Sequence, residues 1–373
     1  MRNKKITICH VTVVHPYNDN RIFYKECISL KEKGYSVLLI APGVESKIQD
    51  GIEIHGVIKY KNRIVHFVKT SVFGVFKKAK RLNADVYHFH DPELIIFGVL
   101  MRLIGKKVIY DIHENNSASI LSKPYLKRKW IRKIISWFVK ITELFFVGFY
   151  SRLVVARPDI EDKFKKFKPI LVNNFPIIVE PIHIELNFKK EKDAVIYVGG
   201  LSKIRGVIEL INAFSEIDDV ELWLLGPFES EAFRKVCENS DGWEKVRYLG
   251  SVEPNMVFSY IQKADAGIVT FLNVPNHITT LPTKPFEYMI CRKPMIMSNF
   301  KYWESVFKDG ANFVNPADSK SIKDGILSLF SSKERMKKMG ESNYQRVINE
   351  YNWQKESVKL INLYKKLLYK EVR

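Results

Sequence analysis

Short apolar segments alternate with longer helical or loop segments along the first half of the chain. The apolar segments are ITICHVTVVH, YSVLLIAPG, DVYHFHD, KVIYDIHE and RLVVARP. Each has the length and composition of a short buried strand. Alternation of this kind predicts an α/β fold, in which a parallel sheet carries helices on both faces.

The same alternation starts again after a proline-containing connector at residues 173–188, and its segments are AVIYVGG, VELWLLG, KVRYLGS, AGIVTF and PMIMSN. A chain of 373 residues is also too long for one ordinary core. We therefore expect two Rossmann-like, doubly wound domains, at residues 1–175 and 176–350, followed by an amphipathic helix within residues 351–373. Two such domains would face each other across a cleft at the carboxyl ends of their strands, where a nucleotide-type ligand is the default occupant.

The cysteines and the start of the chain indicate a reducing, cytoplasmic location. Four cysteines are scattered without the spacing of a disulfide framework or a metal site, so neither a disulfide nor a zinc site is expected from them. The first residues are basic, but they run directly into a strand-like pattern without a small-residue cleavage site. We interpret them as the first strand of a cytoplasmic protein.

The chain is strongly basic, with 60 Lys and Arg against 41 Asp and Glu and a net charge of +19. Such an excess predicts an anionic surface or polymer as a partner. Between Glu114 and Glu143 the only charged residues are basic: Lys123, Lys127, Arg128, Lys129, Arg132, Lys133 and Lys140.

Helical spacing gives this basic stretch two different sides. One consists of Trp130, Ile134, Phe138 and Ile141, and the other largely of Lys129, Arg132, Lys133 and Lys140. This pattern is typical of an interfacial helix and predicts that residues 123–141 contact the inner face of an anionic membrane, with Trp130 and Trp137 at the headgroup level. Lys140 and Glu143 interrupt any span long enough to cross a bilayer. A core-packed helix with a solvated basic face is the alternative; no nucleic-acid-binding module accompanies the charge.

The segment LPTKPFEYMICRKPMIMSNF, residues 281–300, combines a lysine, a carboxylate and a helix start. Lys284 precedes Glu287 by three residues, so both side chains can project from the first helical turn. Pro285 suits that turn, and Thr283 is a candidate cap. Free amides, the positive helix end and the lysine favour an anion, while the carboxylate can accept hydrogen bonds from the paired hydroxyls of a sugar. An ordinary capped helix with a surface ion pair is the alternative.

Ordered motifs along nearly the whole chain resemble those of glycosyltransferase family 4, whose members are retaining enzymes with the GT-B fold. The C-terminal motifs are YVGGLSKIRGVIELINAF, LLGPF, YLGSV, KADAGIVTF and LPTKPFEYMICRKPMI. The N-terminal motifs HPYNDNRIFYKECISLKEKGYSV, DVYHFHDPEL and VIYDIHEN are similar to the envelope-polysaccharide branch of that family. The resemblance implies an N-terminal acceptor domain, a C-terminal nucleotide-sugar domain and a final helix that packs back on the N-terminal domain.

The resemblance assigns the donor site to the C-terminal domain. Arg205 and Lys284 match the two basic residues that grip the diphosphate and would stabilise the charge that develops on the leaving group. Glu287 matches the glutamate that binds the ribose hydroxyls. Gly199 and Gly200 would let backbone amides approach the phosphates closely.

Three positions depart from the family pattern. Thr279 stands where a glutamate usually reads the transferred sugar, Gly200 where many members carry an arginine, and Arg292 where a small residue usually precedes Lys-Pro. Hydroxyl recognition would then fall to neighbouring residues, and nearby amides would face the β-phosphate. The residues concerned are Asn276, His277, Thr279 and Thr280 for the sugar, and Leu281 to Thr283 for the phosphate.

In the N-terminal domain, His113 matches a family histidine close to the transferred sugar, where a neutral imidazole can hydrogen-bond a hydroxyl or a phosphate. It joins Arg205 and Lys284 as a catalytic candidate. The residues expected to contact the acceptor are Asp19, Arg21, His90 and Asp91, with His88 and Glu114 as weaker candidates. A structural role is the alternative for His88 and His90.

The resemblance implies transfer of a hexosyl group from a nucleotide sugar, most often a UDP-sugar in this family, to a hydroxyl of a lipid-linked saccharide, with retention of configuration. No enzyme nucleophile, paired carboxylates or metal ion is expected, because the leaving phosphate can take the acceptor proton. The segment EIDDVEL lacks the Asp-X-Asp spacing of metal-dependent transferases and is interpreted as a surface turn. A nucleotide-sugar 2-epimerase and a non-catalytic GT-B scaffold protein are the alternatives.

Overall fold

The computed structural model describes residues 5–121, 128–178 and 184–369. The chain divides into two compact units. Unit 1 comprises Met1–Asn174 and Trp353–Arg373, and unit 2 comprises Phe175–Asn352. The last part of the chain therefore belongs to the same unit as the first.

The described part of unit 1 contains a sheet of eight strands in the order β3-β4-β2-β1-β5-β6-β7-β8. The strands are β1 Thr7–Val11, β2 Ser36–Pro42, β3 Lys47–Gln49, β4 Ile52–Val57, β5 Val86–Phe89, β6 Lys107–Ile112, β7 Arg152–Val155 and β8 Ile170–Leu171. Neighbouring strands are parallel except for β3 and β4, which form an antiparallel hairpin at one edge.

Unit 2 contains, in its described part, six strands that are parallel throughout, in the order β11-β10-β9-β12-β13-β14. They are β9 Asp193–Val198, β10 Val220–Leu225, β11 Val246–Gly250, β12 Ala266–Val269, β13 Met295–Ser298 and β14 Ala311–Val314. Alternate residues of β9 enter separate apolar clusters on the two sides of the sheet, with Val195 and Tyr197 in one and Ile196 and Val198 in the other. Burial on both faces explains why these strands read as continuous apolar runs.

Helices connect successive strands in both units, except from β2 through β3 to β4, so the predicted α/β class is confirmed. The α-helices are α1 Ile28–Glu32, α2 Arg63–Val65, α3 Val75–Leu82, α4 Ile95–Leu103, α5 Asn116–Leu121, α6 Lys129–Val147, α7 Pro158–Lys163, α8 Val207–Ala213, α9 Glu231–Glu238, α10 Val257–Lys263, α11 Pro275–Ile278, α12 Lys284–Ile290, α13 Lys301–Phe307, α14 Ser319–Phe330, α15 Lys333–Asn349 and α16 Trp353–Leu368. Wider π-helical turns run over Asn20–Cys27 and His66–Gly74. Short 3-10 turns lie at Pro92–Leu94, Lys165–Phe167, Lys203–Arg205, Trp243–Lys245, Pro254–Met256 and Lys308–Gly310.

The helix α16 packs within unit 1. Trp353 Nε1 donates to Ser29 Oγ at 2.8 Å, and Glu356 Oε2 accepts a hydrogen bond from the backbone amide of Asn173 at 2.9 Å. One face of α16 is buried and includes Leu360, Ile361 and Tyr364. These contacts join α16 to Ser29 and Asn173, which both belong to the N-terminal part of unit 1.

Candidate active site

One face of the unit 1 sheet is polar near the carboxyl ends of its central strands. Side chains alternate along a strand, so β1 places Cys9 and Val11 in the main apolar cluster and turns His10 to the opposite face. His10 pairs in register with His88 of β5. The same alternation in β5 and β6 completes a polar layer, which consists of His10, His88, His90, Asp111 and His113.

Three histidine rings pack against one another in this layer. The ring centroids of His10 and His88 are 4.7 Å apart, and those of His88 and His90 are 4.8 Å apart. His10 Nδ1 and His90 Nε2 share a hydrogen bond of 3.0 Å, and His88 Nδ1 lies 2.8 Å from the hydroxyl of Tyr364. Burial lowers the pKa of all three histidines, that of His90 to about 4. The three imidazoles are therefore neutral at neutral pH.

A buried ion pair between Arg21 and Asp111 borders the histidines. Arg21 donates from Nε and Nη2 to the two carboxylate oxygens of Asp111, at 3.0 and 3.1 Å, and from Nη1 to the carbonyl of Val172. Burial opposes the charge on Asp111, but Arg21 outweighs that effect and holds the pKa of Asp111 well below its ordinary value. Asp111 Oδ2 lies 2.8 Å from Nε2 of His113, whose side chain is 16% exposed. His113 is thus anchored by an ionised carboxylate and still open to solvent.

Glu26 reaches the same layer from the π-helical turn Asn20–Cys27. Its Oε1 lies 3.0 Å from Arg21 Nε, and its Oε2 lies 3.8 Å from Nδ1 of both His10 and His88. Neither oxygen accepts a hydrogen bond of normal geometry from the described residues. Burial, and then the negative charge of Asp111, raises the pKa of Glu26 well above its ordinary value. Glu26 is therefore a buried acid that has an ion-pair contact with Arg21 but no hydrogen bond of normal geometry from the described residues.

Asp91 and Asp19 hold the loop that follows β1. Asp91 Oδ2 accepts hydrogen bonds from Thr12 Oγ1 at 2.7 Å and from the amide of Val13 at 2.6 Å. Asp19 Oδ1 accepts two amide hydrogen bonds at the start of the π-helical turn. His15 lies between the two carboxylates, 3.5 Å from Asp19 and 3.4 Å from Asp91, and its hydrogen bond to Asp19 raises its pKa. Both aspartates therefore position backbone in addition to facing a partly exposed histidine.

In unit 2, β9 ends at Val198 and leads into Gly199 and Gly200, which we call the glycine loop. Gly199 has φ +139°, a conformation that side chains disfavour, and a Cβ there would lie 3.1 Å from Nη1 of Arg205. Arg205 folds back on the loop and donates from Nη1 to the carbonyl of Gly200 at 3.1 Å. Its guanidinium also lies 5.3 Å from the ring centroid of Phe271, within the range of a cation–π contact. The guanidinium of Arg205 is thus held beside the backbone of two glycines, which no Cβ shields.

Lys284 and Glu287 lie on the first turn of α12, as their spacing predicts. Lys284 Nζ donates to both carboxylate oxygens of Glu287, at 2.8 and 2.7 Å, and both side chains are partly exposed. Pro285 lies in the same turn. Thr283 precedes the helix, but its side chain makes no capping hydrogen bond, so the predicted cap is wrong. Its backbone is already helical, at φ −77° and ψ −28°, whereas capping requires a more extended residue.

Tyr288 fixes α12 against the end of β9. Its hydroxyl donates to the carbonyl of Ile196 at 3.2 Å and accepts from the amide of Val198 at 3.1 Å. The Tyr288 ring packs on Gly267 of β12, where a Cβ would lie only 2.2 Å from it. Glu287, the preceding residue, is thereby held beside the strand end from which the glycine loop starts.

The segment between β12 and α12 carries His277, Thr279 and Thr280, for which the sequence analysis expects contact with the transferred sugar. His277 packs against Phe271 at a centroid distance of 4.7 Å. The hydroxyl of Thr279 donates to a carbonyl of α11 at 3.2 Å, and Trp303 Nε1 donates to the carbonyl of Thr280 at 2.7 Å. Because Phe271 also faces Arg205, this segment and the glycine loop lie at the same edge of the sheet. The side chain of Asn276 lies outside the described structure.

The helix α6 presents apolar side chains to solvent. Its exposed aromatic residues include Trp130, Trp137 and Phe138, which are 58%, 63% and 64% exposed. The exposed lysines of α6 flank this side and are Lys129, Lys133 and Lys140. Only the C-terminal half of the helix supplies buried residues, Glu143 and Val147. Lys123 and Lys127, also predicted for this surface, lie outside the described residues, and no helix in the described part of the chain is long and apolar enough to cross a bilayer.

Two family models match successive parts of the chain. The model described as "Glycosyltransferase Family 4" matches residues 20–169, and the one described as "Glycosyl transferases group 1" matches residues 179–346. Together they span most of the sequence, in the order that the motifs predict. The chain belongs to glycosyltransferase family 4. No curated protein sequence matches it significantly.

Solved structures resemble this family 4 glycosyltransferase over almost its entire length. Sucrose-phosphate synthase from Thermosynechococcus elongatus has a TM-score of 0.76 at 14% identity, covering 97% of this chain and 99% of that chain. A glycosyltransferase from Rickettsia africae has a TM-score of 0.70 at 13% identity, covering 98% and 99%. Anabaena HepE in complex with UDP has a TM-score of 0.68 at 12% identity, covering 97% and 100%. These likenesses confirm the predicted GT-B fold.

The structure of this glycosyltransferase gathers the donor-site candidates of unit 2 at one sheet edge. Leu281 differs from the others in that its side chain packs against the core. In unit 1, His113 is partly open to solvent and Glu114 is exposed, whereas Arg21 and His90 are buried with their polar atoms engaged by neighbouring side chains. The candidates of unit 1 therefore include both accessible groups and groups that position them.

Sequence reasoning missed several residues that complete these sites: His10, Glu26 and Tyr364 in unit 1, and Phe271 and Tyr288 in unit 2. The signal for His10 was present, because a polar residue in the apolar run ITICHV has the same two-residue alternation as the histidines of DVYHFHD. Glu26 and Tyr364 carry no local signal. They reach the layer from helices whose packing the sequence does not specify.

Proposed function

We propose that this family 4 glycosyltransferase transfers a sugar from a UDP-sugar, with retention of configuration, to a hydroxyl of a lipid-linked saccharide in the synthesis of a capsule, O-antigen or related envelope polysaccharide. The observation that carries the donor half of the proposal is the arrangement of Arg205, the glycine loop, Lys284 and Glu287 at one edge of the unit 2 sheet. Ligands of open α/β sheets bind at this edge.

The chemistry of each donor-site residue fits a nucleoside diphosphate. Arg205 and Lys284 supply charge for the phosphates, and the carboxylate of Glu287 is suited to the two ribose hydroxyls. In the structure, Lys284 and Glu287 pair with each other. A partly exposed pair of this kind contributes little stability, about 0–1 kcal/mol, so a nucleotide can replace it at small cost.

The choice of UDP is supported by a structural neighbour. Anabaena HepE was solved with UDP and also with UDP-glucose, the latter with a TM-score of 0.67 to this chain. Neither identifies the sugar used by this chain, because Thr279 replaces the family's sugar-reading glutamate. We infer that His277, Thr279 and Thr280 recognise the transferred sugar, since they lie at the same sheet edge as Arg205.

The proposed reaction depends on electrostatic stabilisation by fixed groups. Arg205 and Lys284 offset the charge that grows on the departing diphosphate, and they are already positioned before the reaction begins. In unit 1, His113 is the proposed partner of a sugar hydroxyl or phosphate. The carboxylate of Asp111 lies 2.8 Å from Nε2 of His113 and orients its ring. Asp19 and Asp91 would act on the acceptor chiefly through the loop that they hold.

The acceptor is proposed to be lipid-linked because of α6. Its exposed tryptophans and phenylalanine, flanked by lysines, form a surface suited to the headgroup region of an anionic membrane. An enzyme resting on that surface would find its acceptor anchored in the same plane. We accordingly propose peripheral association with the inner face of the cell membrane.

Calorimetric titration with UDP, GDP, ADP and CMP tests the donor site. We expect UDP to bind, and the double variant Arg205→Ala, Lys284→Ala to lose roughly a hundredfold or more in affinity. Each lost charged hydrogen bond is worth about 1.5–3 kcal/mol.

The matched control is Arg234→Ala, Lys338→Ala. Arg234 also faces an aromatic ring, that of Tyr248, and Lys338 also pairs with a glutamate, but both lie elsewhere in unit 2. Retained UDP binding by the control supports the assignment. If no nucleotide binds the native chain, the scaffold alternative gains support, whereas epimerised UDP-sugar formed without acceptor would support the 2-epimerase.

A further inference from the structure

We propose that His10, Glu26, His88 and His90 form a structural site for one Zn²⁺ ion inside unit 1, separate from the donor site. All four side chains are buried. They offer three imidazole nitrogens and one carboxylate oxygen, and these four atoms lie within 4.8 Å of one another. Three or four ligands of these types suit zinc better than they suit magnesium or calcium, which prefer oxygen.

The distances between the donor atoms fit a tetrahedral ion. Four ligands about 2.0–2.1 Å from zinc are roughly 3.3 Å from each other. His10 Nδ1 lies 3.0 Å from His90 Nε2, and Glu26 Oε2 lies 3.8 Å from Nδ1 of both His10 and His88. These three distances are within about half an ångström of that spacing, and the remaining pairs, which lie within 4.8 Å of each other, would draw closer around the ion.

Glu26 provides the independent reason to expect a cation. Its oxygens are buried and accept no well-aligned hydrogen bond from the described side chains. Arg21 lies 3.0 Å from Oε1 but donates its hydrogen bonds to Asp111, so further positive charge at Glu26 must come from a proton or a metal ion. A proton satisfies only the carboxyl oxygen that binds it, whereas a metal ion engages the carboxylate and three imidazole nitrogens at once.

Neighbouring groups would act as outer supports for the ion. Arg21 lies 3.0 Å from Glu26 Oε1 and so can orient the carboxylate through the oxygen that faces away from His10 and His88. Its positive charge is offset by the two hydrogen bonds to Asp111. The Tyr364 hydroxyl lies at hydrogen-bond distance, 2.8 Å, from Nδ1 of His88, and it would turn away from that nitrogen when zinc binds. The ion would thus join β1, β5 and the π-helical turn Asn20–Cys27.

The four cysteines are not part of this site. All are buried and free, and Cys9 lies on the opposite face of β1 from His10. The site is therefore one that cysteine spacing could not reveal. It is also distinct from a second possible set, Glu26, His90, Asp111 and His113, in which Asp111 is already bound by Arg21.

Metal analysis and Co²⁺ titration of the full chain test the proposal. After chelation and dialysis, we expect one Zn²⁺ to bind per chain and raise the unfolding temperature. Co²⁺ should give the visible absorption of a tetrahedral nitrogen and oxygen site, without the near-ultraviolet band of a thiolate, and Zn²⁺ should displace it. No bound metal, or a thiolate band, would overturn the proposal.

Matched variants distinguish the two possible ligand sets. Glu26→Gln keeps the shape of the side chain and His88→Asn removes one imidazole. Each should weaken Zn²⁺ binding by more than the roughly 10–100-fold that follows loss of a supporting contact. His113→Asn belongs only to the second set. It removes a contact of 3.2 Å to Nδ1 of His90, and so it should weaken Zn²⁺ binding by no more than that roughly 10–100-fold. The opposite pattern, with binding lost in His113→Asn and kept in His88→Asn, would contradict the proposed site.

A variant that unfolds would not leave the question open, because X-ray absorption of the native chain with Zn²⁺ reads the ligands directly. We expect three or four nitrogen and oxygen neighbours near 2.0–2.1 Å, with imidazole scattering and without sulfur. A shell containing sulfur, or one made of six oxygens, would contradict the assignment to the histidines and Glu26.

Discussion

At the scale of single residues, burial shifts the pKa of a lysine that lies outside the proposed sites. Lys293 follows α12 and donates from Nζ to the carbonyls of Gln262 and Ala264, at 2.8 and 2.5 Å. Burial lowers its pKa; Asp265 favours the charge and Lys190 opposes it. The ammonium is kept because its hydrogen bonds to these two carbonyls offset the cost of burying it.

This lysine gives a prediction about pH. Just below pH 10.5 the unfolded chain holds the Lys293 proton more tightly than the folded chain does, so folding releases part of a proton. The free energy of unfolding should therefore contain a component that rises with pH in that window, by at most about 1.4 kcal/mol per pH unit. Lys293→Arg keeps a donor but does not titrate. Urea unfolding of unit 2 from pH 7.5 to 10.5 should show a steeper rise in the native chain, and parallel curves would contradict the prediction.

The pairing of Lys284 and Glu287 could be predicted because their motif is local. Lys284 and Glu287 are three positions apart, and one helical turn brings them together wherever the helix lies. Glu26 and His10 are 16 positions apart and meet only through a strand register and a π-helical turn, neither of which leaves a local pattern. Thr283 failed as a cap for a similar reason, because the conformation of the preceding loop is set by tertiary contacts.

At the scale of elements, α6 is the helix whose surroundings differ most from those of a core helix. The alternation of apolar and basic positions left two possibilities, an interfacial helix and a core helix with a solvated basic face. In the structure the apolar side of its N-terminal half is exposed, along with the lysines that flank it. Burial of this face therefore requires something beyond the described residues of unit 1.

We predict that α6 binds vesicles containing anionic lipid. The triple variant Trp130→Ser, Trp137→Ser, Phe138→Ser should lower the partition coefficient at least roughly tenfold, because it removes the side chains that enter the interface. Its fold should be unchanged, since all three side chains are exposed. Sedimentation with vesicles of anionic and of zwitterionic lipid measures the effect.

Replacement of Lys129, Lys133 and Lys140 by serine distinguishes the electrostatic contribution to vesicle binding from the contribution of the inserted apolar side chains. Each lysine near an anionic surface contributes about 1 kcal/mol, so this variant should lose binding to anionic vesicles and most of its salt dependence. Three exposed lysines of α15, Lys333, Lys337 and Lys338, provide a control with the same change in net charge. Equal binding by both lysine variants would show that α6 is not the contact surface.

The strands that were predicted and those that were missed differ in a physical way. Each apolar run identified in the sequence contains a strand, because buried parallel strands need continuous apolar residues. The short edge strands β3, β8 and β14 were missed, and so was β4. The β3–β4 hairpin had a usable signal, since Asp50 and Gly51 have φ +49° and +70° and Asp-Gly favours such a turn. Two-residue β8 has too few positions to form a pattern.

At the scale of the whole molecule, each unit has its own apolar clusters and its own sheet. The proposed nucleotide contacts all lie in unit 2. A ligand that binds only the folded form of unit 2 stabilises that unit directly, by about 2.7 kcal/mol at a hundred times its dissociation constant.

We therefore predict that saturating UDP slows amide hydrogen exchange mainly in unit 2. Peptides from β9, β12 and α12 should gain protection, whereas those from β5 and β6 should change little. Mass spectrometry of exchange with and without UDP measures the difference. Equal gains in both units would contradict the prediction and would mean that the two units open together. The control is the variant Arg205→Ala, Lys284→Ala, in which UDP should change the exchange rates little.

The membership of α16 in unit 1 has a consequence for how the protein is made. The ribosome completes all of unit 2 before it adds Trp353 and Tyr364, which bind Ser29 and His88 in unit 1. Unit 2 is continuous in sequence and can finish folding as it emerges, whereas unit 1 must wait, although most of it was synthesised first. The order of folding on the ribosome is thus expected to run against the usual N-to-C direction. During that interval the nascent first unit exposes the groove that α16 will fill, and it is the part of the chain that chaperones would have to protect.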